Sequence, residues 1–261
     1  MLYLFLAVGT VLMLGVMLLC NVSYGFSKRK VALAAVLLTV CGVLGVKLMF
    51  FIENGSFGGQ SFFGAVLFTP LLMLAVAKLL RLPAAGLLDL SAPAECVMLA
   101  LLKVECLLTG CCVGRVLYVT PLGAEVRFPS AIVECAAALL IALLLYFLSG
   151  KQKLHGRIYP LFMVIYGATR FVLNFLRETT PLLLGLSADG VLALLSTAIG
   201  LGILGYANRR ALRNPFTVAL LILIAATVLF VLFMLSMSYI LLACSLAALA
   251  VACFCFSRVT R

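Results

Sequence analysis

Six ionisable side chains sit inside runs otherwise made of Leu, Val, Ala and Phe: Lys47, Glu95, Lys103, Glu105, Glu134 and Arg170. Asp89 lies close to the edge of one such run. Ionisable groups in apolar surroundings cost several kcal/mol unless partnered, and they mark candidate functional sites facing a bundle interior. Arg170 begins a stripe in YGATRFVLNFLRE, residues 166–178, where Asn174 and Arg177 follow at i+4 and i+7 on one helical face. Two guanidinium groups on one face require an anion, and their planar fork matches the oxygens of a phosphate. Lys103 supplies a third cation, upstream of Cys111. Glu105 and Glu134 are carboxylates in the same region. The alternative reading is structural: these charges pair with one another, Lys103 with Glu134 for example, and hold helices together.

A second concentration of reactive side chains is CLLTGCCVGR, residues 106–115. Within it, Leu108-Thr109-Gly110-Cys111 spells a bacterial lipobox, the motif in which a cysteine thiol receives a lipid. A lipobox directly follows one N-terminal signal helix, whereas this one lies more than a hundred residues in, so its modification is not expected. Cys106, Cys111 and Cys112 lack the C-x-x-C spacing of a zinc site, and the one histidine, His155, falls in a different loop. A disulfide between neighbours Cys111 and Cys112 would be strained. No metal or other cofactor is expected. Cys20, Cys41, Cys135, Cys244, Cys253 and Cys255 lie in apolar runs, where thiols pack as small hydrophobes.

The elements that must hold these groups are membrane helices. Of the 261 residues, 66% are hydrophobic and 10% charged; soluble domains run at roughly half and a quarter. The apolar runs reach the roughly 20 residues that a helix needs to cross a bilayer. Alternating strand-like segments are absent, which argues against a β-barrel. The pattern predicts an all-α polytopic bundle with spans at 2–21, 31–52, 61–80, 91–110, 130–149, 158–176, 187–206, 216–235 and 238–257. The first run is long enough to span and no A-x-A site follows it, so no cleaved signal peptide is expected.

Basic residues recur in alternate loops: Lys28, Arg29 and Lys30; Lys78 and Arg81; Lys151, Lys153 and Arg157; Arg209, Arg210 and Arg213; Arg258 and Arg261. Loops of the other parity hold only Arg115, Arg127 and Arg177. Short loops rich in Lys and Arg stay cytoplasmic, which predicts the N-terminus outside and the C-terminus in the cytoplasm. The net charge of +11 is then a footprint of topology, not of a nucleic-acid-binding face. The informative outer loops carry Gly55, Gly58 and Gly59, the segment from Cys111 to Pro129, and the segment from Arg177 to Gly185.

Taken in order, these stretches resemble the prolipoprotein diacylglyceryl transferase family over residues 1–206. GGQSFFG (58–64) resembles the family's Gly-Gly-x-x-Phe-His-Gly arm. DLSAP (89–93), with Lys103 fourteen residues beyond Asp89, resembles its Asp-x-x-Ala-Pro and downstream arginine. LKVECLLTGCCVGR (102–115) resembles the signature Gly-Arg-x-Gly-Asn-Phe-x-Asn-Gly-Glu-x-x-Gly-Arg, and more closely a branch with a Cys-x-x-x-Gly-Cys-Cys-x-Gly core. RFPSAIVE (127–134) resembles Arg-His-Pro-Ser-Gln-Leu-Tyr-Glu, and YGATRFVLNFLRE resembles Tyr-Gly-x-x-Arg-x-x-x-Glu-x-x-Arg. The chain departs from these patterns at Phe63, Lys103, Cys106, Cys111, Phe128 and Asn174. There the family has histidine, arginine, asparagine, glutamate, histidine and glutamate respectively.

The resemblance implies a seven-helix transferase-like membrane domain at 1–208, with 209–261 as an additional C-terminal transmembrane hairpin. It implies transfer of a diacylglyceryl group from a phosphatidylglycerol-like phospholipid to a lipoprotein cysteine thiol. The setting would be the bacterial cell membrane, with the site facing the outer leaflet and prolipoprotein signal peptides as partners. Catalytic residues would be Lys103, Glu105, Glu134 and Arg170. Substrate-binding residues would be Gly58, Gly59, Gly110, Gly114, Arg115, Arg127, Tyr166, Asn174 and Arg177. Two other readings stand. One is a family offshoot using the same lipid-phosphate pocket with another donor or acceptor; the other is a non-enzymatic lipid-binding membrane protein. The polar residues gather towards the outer half instead of crossing both leaflets, which favours an enzyme over a transporter.

Overall fold

The structure, a computed structural model, describes residues 2–207 apart from 60, 111, 122 and 179–186. The spans expected at 216–235 and 238–257, and residue Cys111, lie outside the described residues. The chain divides into two units, Met1–Leu201 and Gly202–Arg261, and every candidate site residue belongs to the first.

Seven helices follow one another: α1 (Leu2–Cys20), α2 (Lys28–Asn54), α3 (Phe62–Leu80), α4 (Ala84–Thr109), α5 (Ser130–Ser149), α6 (Ile158–Asn174) and α7 (Ala188–Ala207). Six are long and apolar enough to cross a membrane; α6, with 17 residues, is shorter. The protein is a multi-pass membrane helix bundle. Helix α4 begins at Ala84, seven residues before the expected start at 91, because its polar DLS stretch is satisfied inside the protein. Between α4 and α5 lies an antiparallel hairpin of β1 (Val116–Val119) and β2 (Glu125–Arg127), pairing Tyr118 with Val126 and Val119 with Glu125. The sequence reading found no strands. These are only four and three residues long, too short for alternation to register.

Helix α4 is the hub. It packs against α1, α3, α5 and α6, and 67% of its apolar window is buried, against 28% for α1 and 22% for α2. Met13, Met17, Val31, Leu38, Met73, Leu87 and Leu90 form a continuous core among α1–α4. Leu140, Phe147 and Leu71 point outward, as expected where the surrounding solvent is lipid. Helices α2 and α3 approach through glycines: a Cβ on Gly64 would collide with the Gly45 carbonyl oxygen. Small residues permit this closeness, which drives helix association where water is absent.

The Asp89 carboxylate ties α4 to the start of α6. It accepts the backbone amides of Gly156, Ile158 (2.9 Å) and Tyr159 (3.1 Å), and the Tyr24 hydroxyl at 2.9 Å. The first amides of a helix lack intrahelical partners and carry partial positive charge, so a buried anion there is stabilised. Burial, reinforced by the Asp89 charge, holds the Tyr24 phenol above its ordinary range and keeps it a donor.

A candidate active site at one end of the bundle

The C-terminal ends of α2, α4 and α6 and the starts of α3, α5 and α7 meet at one end of the bundle. The basic clusters 28–30, 78–81 and 151–157 lie at the other. At the first end is a cavity of about 420 Å³. Lys103, Glu105 and Cys106 line it from α4, Tyr166 and Arg170 from α6, and Asp189 from α7. Cys112 and Arg177 enter from the segments after α4 and α6, and Gly58 and Gly59 from the loop before α3.

Three cations and two carboxylates form one cluster. Glu134 Oε2 lies 2.5 Å from Lys103 Nζ; its Oε1 lies 2.6 Å from Arg170 Nη1 and 3.7 Å from Arg177 Nε. Asp189 Oδ2 lies 2.5 Å from Arg170 Nη2 and 3.3 Å from Arg177 Nη1. Glu134 and Arg170 are 5% and 8% exposed, so these contacts are little screened by solvent. The Lys103–Glu134 pair is the structural pairing considered from the sequence. The anion required by the Arg170–Arg177 stripe is provided in part by the protein itself. Asp189 was not anticipated as a site residue, although it is the one acidic residue in the seventh apolar run.

The surrounding loops are fixed by specific bonds. Lys47 Nζ donates to the carbonyls of Phe57 and Gly59, each at 3.0 Å, and Ser61 Oγ donates to Glu53 at 2.6 Å. Lys47 thus holds the glycine arm against α2. Gly110 ends α4 in the left-handed region (φ 67°), a conformation that suits glycine. The chain then turns so that the Ser130 hydroxyl donates to the Cys112 carbonyl at 2.7 Å. Gly114 pairs with Arg177, and a Cβ on Gly114 would occupy the space of the Phe128 carbonyl.

That path puts the Cys112 sulfur 3.7 Å from Lys103 Nζ and 3.8 Å from Arg177 Nη2. A hydrogen bond with the Cys106 thiol, seconded by the charges of Lys103 and Arg177, lowers the Cys112 thiol to about 5. Burial and the Glu134 charge oppose that shift. Sequence reasoning argued against a zinc site and a vicinal disulfide at Cys112 and assigned it no role.

Other candidate residues fall elsewhere. Gly110 and Gly114 shape the turn and do not line the cavity. Arg115 is exposed, and its contribution is a backbone amide bonded to the Leu176 carbonyl at 3.0 Å. Arg127 does not line the cavity and is paired with Glu125 (2.6 Å) and Glu178 (2.5 Å). Asn174 is buried and accepts the Ser187 hydroxyl at 3.0 Å, joining the end of α6 to the start of α7. An apolar pocket borders the cavity, sharing Val46, Phe62 and Leu102, with Leu6, Met13 and Leu38 farther along it. A charged headgroup and an aliphatic tail could therefore be held side by side.

The family model for prolipoprotein diacylglyceryl transferase matches residues 2–206. A phosphatidylglycerol–prolipoprotein diacylglyceryl transferase of Dehalococcoides mccartyi is 25% identical over 213 residues, covering 73% of this chain and 80% of the relative. The protein of that name from Clostridium tetani is 25% identical over 178 residues, 59% of this chain and 70% of the relative. Its counterpart from Paraburkholderia xenovorans is 36% identical over 94 residues, 34% of this chain and 31% of the relative. With the family model spanning all seven described helices, the chain belongs to the prolipoprotein diacylglyceryl transferase family.

Proposed function

We propose that this protein transfers a diacylglyceryl group from phosphatidylglycerol to the cysteine thiol of a prolipoprotein, releasing glycerol phosphate. The observation that carries the reading is the convergence of Lys103, Arg170 and Arg177 at the cavity. In the displacement, a thiolate attacks the glyceryl carbon and negative charge grows on the departing phosphate. Cations already held in place stabilise that charge without reorganising. Glu134 and Asp189 act as their counter-ions, holding the two guanidinium forks at fixed angles. On this reading Lys103 and Arg170 stabilise charge, while Glu134 is occupied on both oxygens by cations and orients them. Glu105 lines the cavity wall and remains open to proton transfer.

The basic loops at the opposite end support an outer-leaflet location for the cavity, in a bacterial cell membrane. The signal peptide of the acceptor would enter there beside the glycine arm.

One observation favours the family-offshoot reading, with another acceptor or donor. The chain's only histidine, His155, stacks on Tyr24 with ring centroids 4.0 Å apart, beside Asp89, far from the cavity. The deciding experiment expresses the chain in a bacterium depleted of its own diacylglyceryl transferase and assays thioether-linked lipid on a lipobox peptide. Transfer supports the reading. Well-folded, lipid-binding protein without transfer leaves the offshoot with another acceptor.

A further inference from the structure

We propose that Cys112 is a catalytic residue of this cavity, the group that takes the proton from the incoming acceptor thiol. The inference rests on the transferase reading and names the proton acceptor within it.

The sulfur stands on the cavity wall between two cations, Lys103 at 3.7 Å and Arg177 at 3.8 Å. Its backbone is pinned by Ser130. From α4 it also faces Cys106 and Glu105; α5 presents Glu134, α6 presents Arg170, and α7 presents Asp189. Without the thiolate, the cluster of Lys103, Arg170, Arg177, Glu134 and Asp189 carries one excess positive charge. The thiolate balances it. A thiol so placed is ionised at neutral pH, its titration lowered to about 5.

A lipid phosphate bound to Lys103 and Arg177 takes over the cations that stabilise the thiolate. Loss of that stabilisation raises the proton affinity of Cys112 at the moment an acceptor thiol is present. The acceptor S–H bond breaks and its proton passes to the Cys112 sulfur. The new thiolate forms a carbon–sulfur bond at the glyceryl carbon bearing the phosphate. The carbon–oxygen bond breaks, its electron pair remaining on the phosphate oxygen. The proton then passes from Cys112 to the departing phosphate monoester, restoring the starting charge state. Glu134 is less suited to the role, since both its oxygens are engaged by cations.

Two measurements test this on the full chain in phosphatidylcholine nanodiscs. The first is the pH dependence of iodoacetamide labelling at Cys112, read by peptide mass spectrometry. At pH 6 a thiol titrating near 5 is about 90% ionised, against about 0.3% for an ordinary thiol. After allowing for the weaker nucleophilicity of a low-pKa thiolate, labelling should be about 10-fold faster than for a free cysteine peptide. Adding phosphatidylglycerol should move the half-point upward by about one unit or more. Labelling that instead rises about 25-fold between pH 7 and pH 9, as for an ordinary thiol, overturns the proposal. So does a half-point unmoved by bound phosphatidylglycerol.

The second measurement is transfer to a lipobox peptide. Cys112→Ser should lower turnover by about 100-fold or more with little change in the lipid KM. Cys112→Asp, which restores an anionic acceptor, should recover most of that loss. If Cys112→Ser keeps full turnover while Glu105→Gln loses it, the proton acceptor is Glu105 and the proposal fails alone. If the wild-type chain transfers nothing, the transferase reading fails and takes the proposal with it.

Discussion

Replacing Glu134 by glutamine isolates what the buried charge cluster contributes. The carboxylate is 5% exposed and touches Lys103 at 2.5 Å and Arg170 at 2.6 Å. Removing one partner of a buried ion pair costs about 3–5 kcal/mol, because a charge is left without compensation. Here the loss is uneven. Arg170 and Arg177 retain Asp189 at 2.5 and 3.3 Å, whereas Lys103 keeps no second carboxylate within salt-bridge distance among the described residues and is left with the more distant Cys112 sulfur at 3.7 Å. The penalty therefore falls on one cation, 11% exposed, and the low end of the range applies: about 3 kcal/mol for Glu134→Gln. Asp189 is 25% exposed and its arginines retain Glu134, so Asp189→Asn should cost only about 1 kcal/mol. Adding Lys103→Met to Glu134→Gln removes the excess positive charge left in the cluster and should return about 1–2 kcal/mol. The assay is equilibrium unfolding in mixed micelles titrated with denaturing detergent. A Glu134→Gln variant within about 0.5 kcal/mol of wild type, or a double variant less stable than the single, refutes the charge accounting.

Further predictions follow from individual contacts. Gly64→Ala should destabilise by about 2 kcal/mol or more, because its Cβ would meet the Gly45 carbonyl. Gly58→Ala, with nothing closer than the Ser56 hydroxyl at 4.0 Å, should leave stability within about 0.5 kcal/mol; thermal unfolding distinguishes the two. Asp89→Asn should cost about 2–3 kcal/mol in the same assay, since the carboxylate accepts three amides and the Tyr24 hydroxyl. Lys47→Met removes the two bonds that hold the glycine arm, so limited proteolysis should cut within residues 55–61 sooner and the lipid KM should rise. Glu95 is 4% exposed, with Oε1 unpartnered and Oε2 only 3.3 Å from the Tyr159 hydroxyl. Glu95→Gln should therefore leave stability unchanged or raise it by about 1 kcal/mol, as measured by unfolding.

The positions of the seven described helices were legible in the sequence because each span is a local property. Twenty apolar residues form a helix in lipid whatever their neighbours do, and the seven described helices lie close to the expected ranges. The greatest mismatch is at the start of α4. The polar residues Asp89 and Ser91 looked like a boundary, yet Asp89 is buried by amides that arrive some 67 to 70 residues later in the chain. The hairpin between α4 and α5 was invisible for a different reason. Its strands pair through backbone groups that carry no side-chain pattern.

The candidate site divides in the same way. The charges that do not belong in a membrane could be identified one by one, since the cost of burying each depends only on its type. Lys103, Glu134 and Arg170 were found so, Arg177 by its place on the Arg170 stripe, and they meet. Asn174, on the same stripe as Arg170, was expected at the substrate and instead holds Ser187, since helical periodicity predicts a shared face but not what that face meets. Cys112 and Asp189 needed the three-dimensional arrangement. A cysteine is a small hydrophobe or an ionised thiol according to its neighbours, and Lys103 and Arg177, 9 and 65 positions away, make the difference. Residue type and apolar periodicity determined which elements form and which charges require partners, because those are short-range energies. Only the tertiary structure decided which charge meets which, because Coulomb and hydrogen-bond energies depend on distances of a few ångströms between residues far apart in the chain.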